Sequence, residues 1–210
     1  CFEFEGLSEC PIPSLLRDFS APVRVHYPWT REQLLFLMSH DPDGFNRWDA
    51  GQRLAVDVIQ SLVGAPESAG VEPRLVDAYR SLLQDSELDQ ALMAKMLQLP
   101  SEAYLIELAE QADVAAIHQA REKVLGYLAE GLRDELMACY QRNAGQGDYQ
   151  LTPEAIARRS LRNTALGWLL HIGDQEALAL AKEQFRGADN MTDRLGALRA
   201  LVNSDFAEDR

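Results

Sequence analysis

The sequence lacks any long hydrophobic run. No apolar stretch in its 210 residues approaches the roughly 20 residues that a helix needs to cross a bilayer. The N-terminus also has no basic region followed by an apolar stretch, which is the pattern of a secretory signal. The sequence therefore predicts neither a membrane-spanning helix nor export.

Cysteine and positive charge are both scarce. The three cysteines, Cys1, Cys10 and Cys139, have no close paired spacing, which argues against a disulfide framework and favours a reducing compartment. We therefore expect a cytoplasmic location. The 20 basic residues face 33 acidic ones, and the net charge of -13 would repel phosphate backbones and anionic lipids. Nucleic acid and membrane surfaces are therefore not expected as partners.

Motifs that carry catalysis are also absent. None of the four histidines lies within four residues of another, and there is no Cys-x-x-Cys pair, so the spacing predicts no zinc site. Gly-rich nucleotide loops and the Gly-x-Ser-x-Gly sequence of serine hydrolases do not occur either. We predict no catalytic, cofactor-binding or metal-binding residue in this chain.

The reactive side chains that are present have structural interpretations. His40 and His171 fall near the ends of predicted helices, where an imidazole can interact with free carbonyls. Cys139 has no base or cluster of positive charge beside it in the sequence, which indicates an ordinary semi-buried thiol, and Cys10 is interpreted in the same way. The carboxylates are interpreted mostly as solvated helix faces, and they include Glu102, Glu107, Glu110, Asp134 and Glu135.

Residues 1–28 differ from the rest of the chain. Two short β-like stretches, Phe2-Glu3-Phe4-Glu5 and Val23-Arg24-Val25-His26-Tyr27, are separated by several prolines, which confine strands to sheet edges or strand starts. Two or three strands cannot cover a hydrophobic face by themselves. We therefore expect a short β remnant that completes a sheet whose other strands lie outside this sequence, as in an excised segment.

Residues 29–210 have the periodicity and start signals of consecutive helices. The longer helices are predicted over residues 45–63, 113–142, 175–185 and 192–203. Caps and first-turn residues mark other starts, namely Thr30 with Gln33, Pro73, Ser86, Ser101, and Thr152 with Pro153. The pattern predicts a mostly α fold, an α-solenoid-like (HEAT-like) stack of antiparallel helices in which each pair mainly contacts its neighbours.

The most polar helix start is Asp189-Asn190-Met191-Thr192-Asp193-Arg194. Thr192 can cap this helix, and Asp193 would lie near its positive end. Capping is favoured here over a ligand-lining role.

Three segments carry a resemblance to a known family. They are Ser14-Leu15-Leu16-Arg17-Asp18-Phe19-Ser20-Ala21-Pro22-Val23, Asp43-Gly44-Phe45-Asn46-Arg47-Trp48-Asp49-Ala50, and Ala188-Asp189-Asn190-Met191-Thr192-Asp193. Their order and spacing resemble aminopeptidase N of the bacterial alanyl-aminopeptidase type. The likeness extends over essentially the whole chain.

The resemblance implies a zinc exopeptidase that removes N-terminal amino acids from peptides and has several domains. Residues 1–28 would be the terminal strands of its β-sandwich domain, and residues 29–210 the N-terminal part of its helical C-terminal domain. The family's zinc ligands lie in a His-Glu-x-x-His motif and a later Glu, and its amine-binding stretch is Gly-x-Met-Glu-Asn. Neither motif occurs here, so the resemblance implies zinc in the parent enzyme only.

Two hypotheses follow for the function. The leading one is a non-catalytic segment that shapes substrate access, with the parent's catalytic and N-terminal domains and its peptide substrates as partners. The alternative is a stand-alone helical solenoid scaffold that binds a protein partner. The first predicts a longer reading frame with His-Glu-x-x-His upstream, and the second predicts start and stop codons near the present ends.

Overall fold

The computed structural model describes residues 5–23, 25–65, 68–145, 149–204 and 206, and these residues form helices, turns and loops without a strand. Ten α-helices follow one another: α1 (Arg31–His40), α2 (Gly44–Leu62), α3 (Pro73–Gln84), α4 (Gln90–Met96), α5 (Glu102–Leu108), α6 (Val114–Gly131), α7 (Arg133–Arg142), α8 (Pro153–His171), α9 (Gln175–Gly187) and α10 (Met191–Val202). No helix among these is long and apolar enough to cross a membrane. The prediction of a mostly α fold is confirmed.

Most helices begin at a side chain that accepts a hydrogen bond from the first turn. Thr30 and Gln33 form the predicted capping box of α1, and Ser101 and Thr152 cap α5 and α8 as predicted. Leu132, which precedes α7, makes no such bond. Because the first N–H groups of a helix have no carbonyl partner within it, these caps determine where the helices start.

Two predicted caps are wrong. Ser86 lies in the turn before α4 and donates to Glu87 at 3.2 Å, while Asp89 caps the helix. Thr192 lies inside α10, whose cap is Asn190. In both places a short Asp or Asn side chain immediately precedes the first helical residue, where it reaches an N–H of the first turn.

The single helix predicted over residues 113–142 is two helices. They meet at Leu132, which has φ -119° and ψ 12°. A Cβ on Gly131 would stand 2.9 Å from Val76 Cγ1, and Arg80 Nη2 donates to the Gly131 carbonyl at 2.8 Å. The close approach of α3 therefore coincides with the break, and hydrophobic periodicity could not reveal it because both halves share one apolar stripe.

The predicted β remnant forms no strand among its described residues. Phe2, Phe4 and Arg24 lie outside the described residues. The described part of residues 5–29 is irregular apart from a 3-10 turn at Arg17–Phe19. A strand requires hydrogen bonds to a neighbouring strand, and none of the described segments pairs with this one.

One hydrophobic core runs through the helices. Consecutive helices pack as α1 on α2, α7 on α8 and α9 on α10. α8 also packs on α4, α6 and α10, with Leu161, Ala165 and Leu169 buried. In the predicted stack each helix pair mainly contacts its neighbours in the sequence, so α4 and α8 would lie apart. The central position of α8 differs from that prediction.

Candidate functional site

A groove of about 1560 Å³ lies between the N-terminal segment and helices α2, α4 and α5. Most small-molecule pockets have about 300–1,000 Å³, so this groove is large enough for an extended chain. Apolar side chains form much of its wall, including Phe19, Val23, Trp29, Phe45, Trp48, Val56, Leu92, Tyr104 and Leu108.

The N-terminal wall of the groove is fastened to α2 by hydrogen bonds. Asn46 Nδ2 donates to Ser14 Oγ at 2.8 Å and to the Leu15 carbonyl at 3.0 Å. The Asp43 carboxylate accepts from the backbone N–H of Asp18 at 2.9 Å. The first two segments that resemble aminopeptidase N are therefore in direct contact, and together they build one side of the groove.

The turn in this wall has a strained backbone. Leu16, Asp18 and Phe19 have φ values of 53°, 55° and 51°, and such left-handed residues cost about 1–3 kcal/mol each. The Phe19 ring centroid lies 5.0 Å from that of Phe45, which lies 5.7 Å from that of Trp48. Strain is thus stored beside an aromatic cluster whose first member, Phe19, is 56% exposed.

Charged groups also line the groove. Arg53 Nε donates to Asp49 at 2.6 Å, and its guanidinium lies 5.1 Å from the centre of the Trp29 ring. Trp29 Nε1 in turn donates to the Pro13 carbonyl at 3.1 Å. These contacts fix the indole and the guanidinium relative to one another. Further charged lining residues are Asp57, Lys95 and Glu107.

The third resemblance segment, residues 188–193, belongs to a buried polar network. Asn190 caps α10 by accepting from the Asp193 N–H at 2.9 Å, and its Nδ2 donates to the Asp193 carboxylate at 3.0 Å. Asn163 of α8 donates to the other oxygen of that carboxylate at 3.1 Å. Asp193 is 7% exposed, so these donors replace the water that burial removes.

Gln184 of α9 extends this network to α7. Its Nε2 donates to Asn163 Oδ1 at 2.7 Å and to the Asp193 carbonyl at 2.9 Å, while its Oε1 accepts from the Tyr140 hydroxyl at 3.0 Å. Arg162 donates to the same hydroxyl at 2.9 Å. Burial raises the pKa of Tyr140, although Arg162 acts in the opposite direction. The network joins α7, α8, α9 and α10, which favours a packing role for the polar segment.

Two of the histidines, His40 and His171, lie at helix ends, and Cys139 is buried. His40 and His171 are the last residues of α1 and α8. Cys139 is buried in α7, and burial raises the pKa of its thiol against the weaker effects of Arg142 and Asn143. A thiol with a raised pKa is a poor nucleophile.

One convergence of side chains is not predicted from the sequence. Glu102 of α5 lies 2.8 Å from His118 Nδ1, and Glu122 follows His118 by one turn of α6. One oxygen or nitrogen atom from each of the three residues lies within 4.8 Å of the others. The hydrogen bond to Glu102 raises the pKa of His118, against a smaller effect of burial. The sequence signal for this convergence is the four-residue spacing of His118 and Glu122, which places both on one face of a helix. A motif defined by two histidines does not include this pair.

The other carboxylates considered from the sequence are dispersed. Glu135 pairs with Arg80 at 2.7 Å, and Asp134 pairs with Arg133 at 3.0 Å. Glu107 lines the groove. These residues serve ion pairs or face the groove, and they do not form a paired-acid site.

The ten described helices pack around one core and define a helical domain. The chain belongs to the family described as "Domain of unknown function (DUF3458_C) ARM repeats", which matches residues 31–210.

Similar proteins include bacterial aminopeptidases. Aminopeptidase N of Escherichia coli (strain K12) is 42% identical over 206 residues, which are 96% of this chain and 23% of that protein. Aminopeptidase N of Haemophilus influenzae is 36% identical over 208 residues, 97% of this chain and 23% of that protein. The crystal structure of Legionella pneumophila aminopeptidase A in complex with aspartic acid matches with a TM-score of 0.84 at 28% identity, over 96% of this chain and 25% of that chain. The resemblance to bacterial aminopeptidase N is confirmed, and the chain spans about a quarter of the length of these relatives.

The residues of this chain do not fit the catalytic zinc that the resemblance implies. The His-Glu-x-x-His motif is absent. The cluster of Glu102, His118 and Glu122 has one histidine instead of two, and the His118 side chain is 57% exposed. We therefore assign no step of peptide hydrolysis to this chain.

Proposed function

We propose that this chain is a non-catalytic part of a longer zinc aminopeptidase and that its helices shape the access of peptides to a catalytic cleft elsewhere in that enzyme. Its partners are then the catalytic and N-terminal domains of the parent and the peptides that pass the groove. The location proposed for the enzyme is cytoplasmic. Residues 1–28 would complete a β-sandwich domain, and residues 29–210 would begin the helical domain.

The observation that carries this proposal is the construction of the groove. Its wall is built where the first two aminopeptidase-like segments meet, through Asn46 and Asp43. The groove is lined by many apolar side chains together with several charged ones, and a largely apolar wall with a few polar groups is typical of ligand-binding sites. A rigid concave surface on a helical stack can control which molecules pass it.

Tyr104 provides a direct test of access control. It stands on α5 at the groove and is 47% exposed, so replacing it changes the width of the groove with little effect on the core. In the full-length aminopeptidase, Tyr104→Ala should raise kcat/KM for a peptide of about five residues relative to kcat/KM for alanine p-nitroanilide, and Tyr104→Trp should lower that ratio. A few-fold change corresponds to about 1 kcal/mol.

Tyr149 is the matched control, because it is also 47% exposed and does not line the groove. Tyr149→Ala should leave the ratio of the two kcat/KM values unchanged. If Tyr104→Ala and Tyr104→Trp also leave this ratio unchanged, the groove does not control access. Binding of an unrelated protein to the groove of a stand-alone chain would favour the scaffold hypothesis instead.

A further inference from the structure

Three side chains from two helices converge at the surface near α5. Glu102 is the first residue of α5, while His118 and Glu122 lie on α6. Residues four apart share one face of a helix, so α6 presents an imidazole and a carboxylate side by side. With Glu102 opposite, one oxygen or nitrogen atom of each residue lies within 4.8 Å of the other two.

These three residues supply a mixed nitrogen and oxygen donor set. Imidazole is a preferred ligand of zinc, copper and nickel, whereas magnesium and calcium prefer sites built from oxygen alone. Zinc binds histidine nitrogen and carboxylate oxygen at roughly 2.0–2.2 Å, so ligand atoms around one ion stand about 3–3.5 Å apart. Glu102 Oε1 and His118 Nδ1 are already 2.8 Å apart, and all three ligand atoms lie within 4.8 Å of one another, so side-chain rotation can bring them around one ion.

All three side chains are accessible to solvent. The side chains of His118, Glu102 and Glu122 are 57%, 41% and 34% exposed. A second imidazole is close, because His171 Nδ1 lies 3.6 Å from Glu122 Oε2. Arg121 donates to the other oxygen of Glu122, Oε1, at 3.0 Å, so it neutralises part of the negative charge and leaves Oε2 without that hydrogen bond.

We propose that Glu102, His118 and Glu122 form a binding site for a divalent first-row transition-metal ion such as zinc, and that the bound ion ties α5 to α6. α5 has seven residues and buries only Leu105 among its described side chains, so an added link to α6 stabilises its position. The site is structural and separate from peptide hydrolysis, and it does not depend on the function proposed above.

Calorimetric titration of the metal-free 210-residue chain with Zn²⁺ tests this site. Cys1 and Cys10 are replaced by serine in every protein tested, because a cysteine thiolate is itself a zinc ligand. We expect one zinc per chain. His118→Ala and Glu122→Gln should each weaken binding by at least about tenfold, since loss even of a residue that only supports a ligand commonly costs that much. Circular dichroism checks that each variant is folded.

His26→Ala is the matched control, because His26 is an exposed histidine outside this cluster. This variant should bind zinc as tightly as the chain that carries only the two cysteine replacements. Zinc should also raise the thermal unfolding temperature of the chain with only the cysteine replacements and of His26→Ala. It should not raise that of His118→Ala. Unchanged zinc affinity in His118→Ala would overturn the proposal. Calcium binding as tight as zinc binding would also overturn it, because that result would indicate attraction to surface carboxylates without a role for the imidazole.

Discussion

At the scale of single residues, Asn163 and Gly196 show how a buried polar group depends on the space around it. A Cβ on Gly196 would stand 2.5–2.8 Å from the side-chain atoms of Asn163. Asn163 holds the Asp193 carboxylate and accepts from Gln184. The absence of a side chain at position 196 therefore allows the amide to reach its partners.

We predict that Gly196→Ala destabilises the chain. Alanine in a helix gains about 1 kcal/mol over glycine, but moving Asn163 breaks buried hydrogen bonds at a cost of about 1–3 kcal/mol, so a net loss of up to about 2 kcal/mol is expected. The measurement is the free energy of unfolding in urea. Gly167→Ala in α8 is the control, because nothing lies within 4 Å of its added Cβ, and it should stabilise the chain. A gain in stability for both variants would contradict this account.

Local signals at single positions explain which residue roles could be predicted. Thr30 and Ser101 cap helices because a cap acts on the N–H groups of its own first turn, which sequence spacing shows directly. The pairing of Glu102 with His118 spans 16 positions and depends on how α5 packs on α6. No local pattern contains that information, so the convergence with Glu122 was not predicted.

At the scale of helices, α7 and α9 are joined by an ion pair at a cap. Asp174 accepts from the Ala177 N–H at 2.8 Å and from Arg133 Nε at 2.6 Å. Burial by itself would raise the pKa of Asp174, but the Ala177 N–H and the Arg133 guanidinium outweigh it and hold the pKa below its ordinary value. The ionised carboxylate therefore stabilises the folded chain.

We predict that Asp174→Asn removes an acid-sensitive part of the stability. Asparagine still caps the helix, so the change in free energy of unfolding reports the loss of the charge. Asp174→Asn is expected to lower this free energy by about 1 kcal/mol near pH 7. Because the folded pKa lies below the unfolded value of about 3.9, the carboxylate's contribution is complete above that value and disappears as pH falls through the folded pKa. The difference between parent and variant in free energy of unfolding should shrink between pH 6 and pH 2.5.

The control for this experiment is Glu183→Gln, which makes the same change of charge at an exposed position of α9. It should change the free energy of unfolding by less than about 0.5 kcal/mol at both pH values. A difference between parent and Asp174→Asn that is independent of pH would show that the charge of Asp174 does not stabilise the fold.

Helix starts were predictable at Thr30, Ser101 and Thr152, where the cap precedes the first helical residue, and the break at Leu132 was not. Residues 113–142 keep one apolar stripe through that break, so their periodicity favours a single helix. The feature at the break is the contact of Gly131 with Val76 and Arg80 of α3. This contact joins residues about 50 positions apart and appears only after the chain has folded.

At the scale of the whole molecule, the three aminopeptidase-like segments occupy two different places. The first two meet through Ser14, Asp18, Asp43 and Asn46 and form a wall of the groove, while residues 188–193 lie in the network among α7 to α10. The sequence allowed the family and the mostly α fold to be predicted. It did not allow the groove or the central position of α8 to be predicted, because both depend on long-range packing.

The central claim is that this chain is a non-catalytic part of an aminopeptidase, and hydrolysis of alanine p-nitroanilide tests it most directly. The purified chain with added zinc is compared with the longer aminopeptidase that we propose contains it. We predict turnover by the longer protein and none by the chain alone, even when the chain binds zinc through Glu102, His118 and Glu122. Zinc-dependent turnover by the chain alone, or none by the longer protein, would contradict the claim.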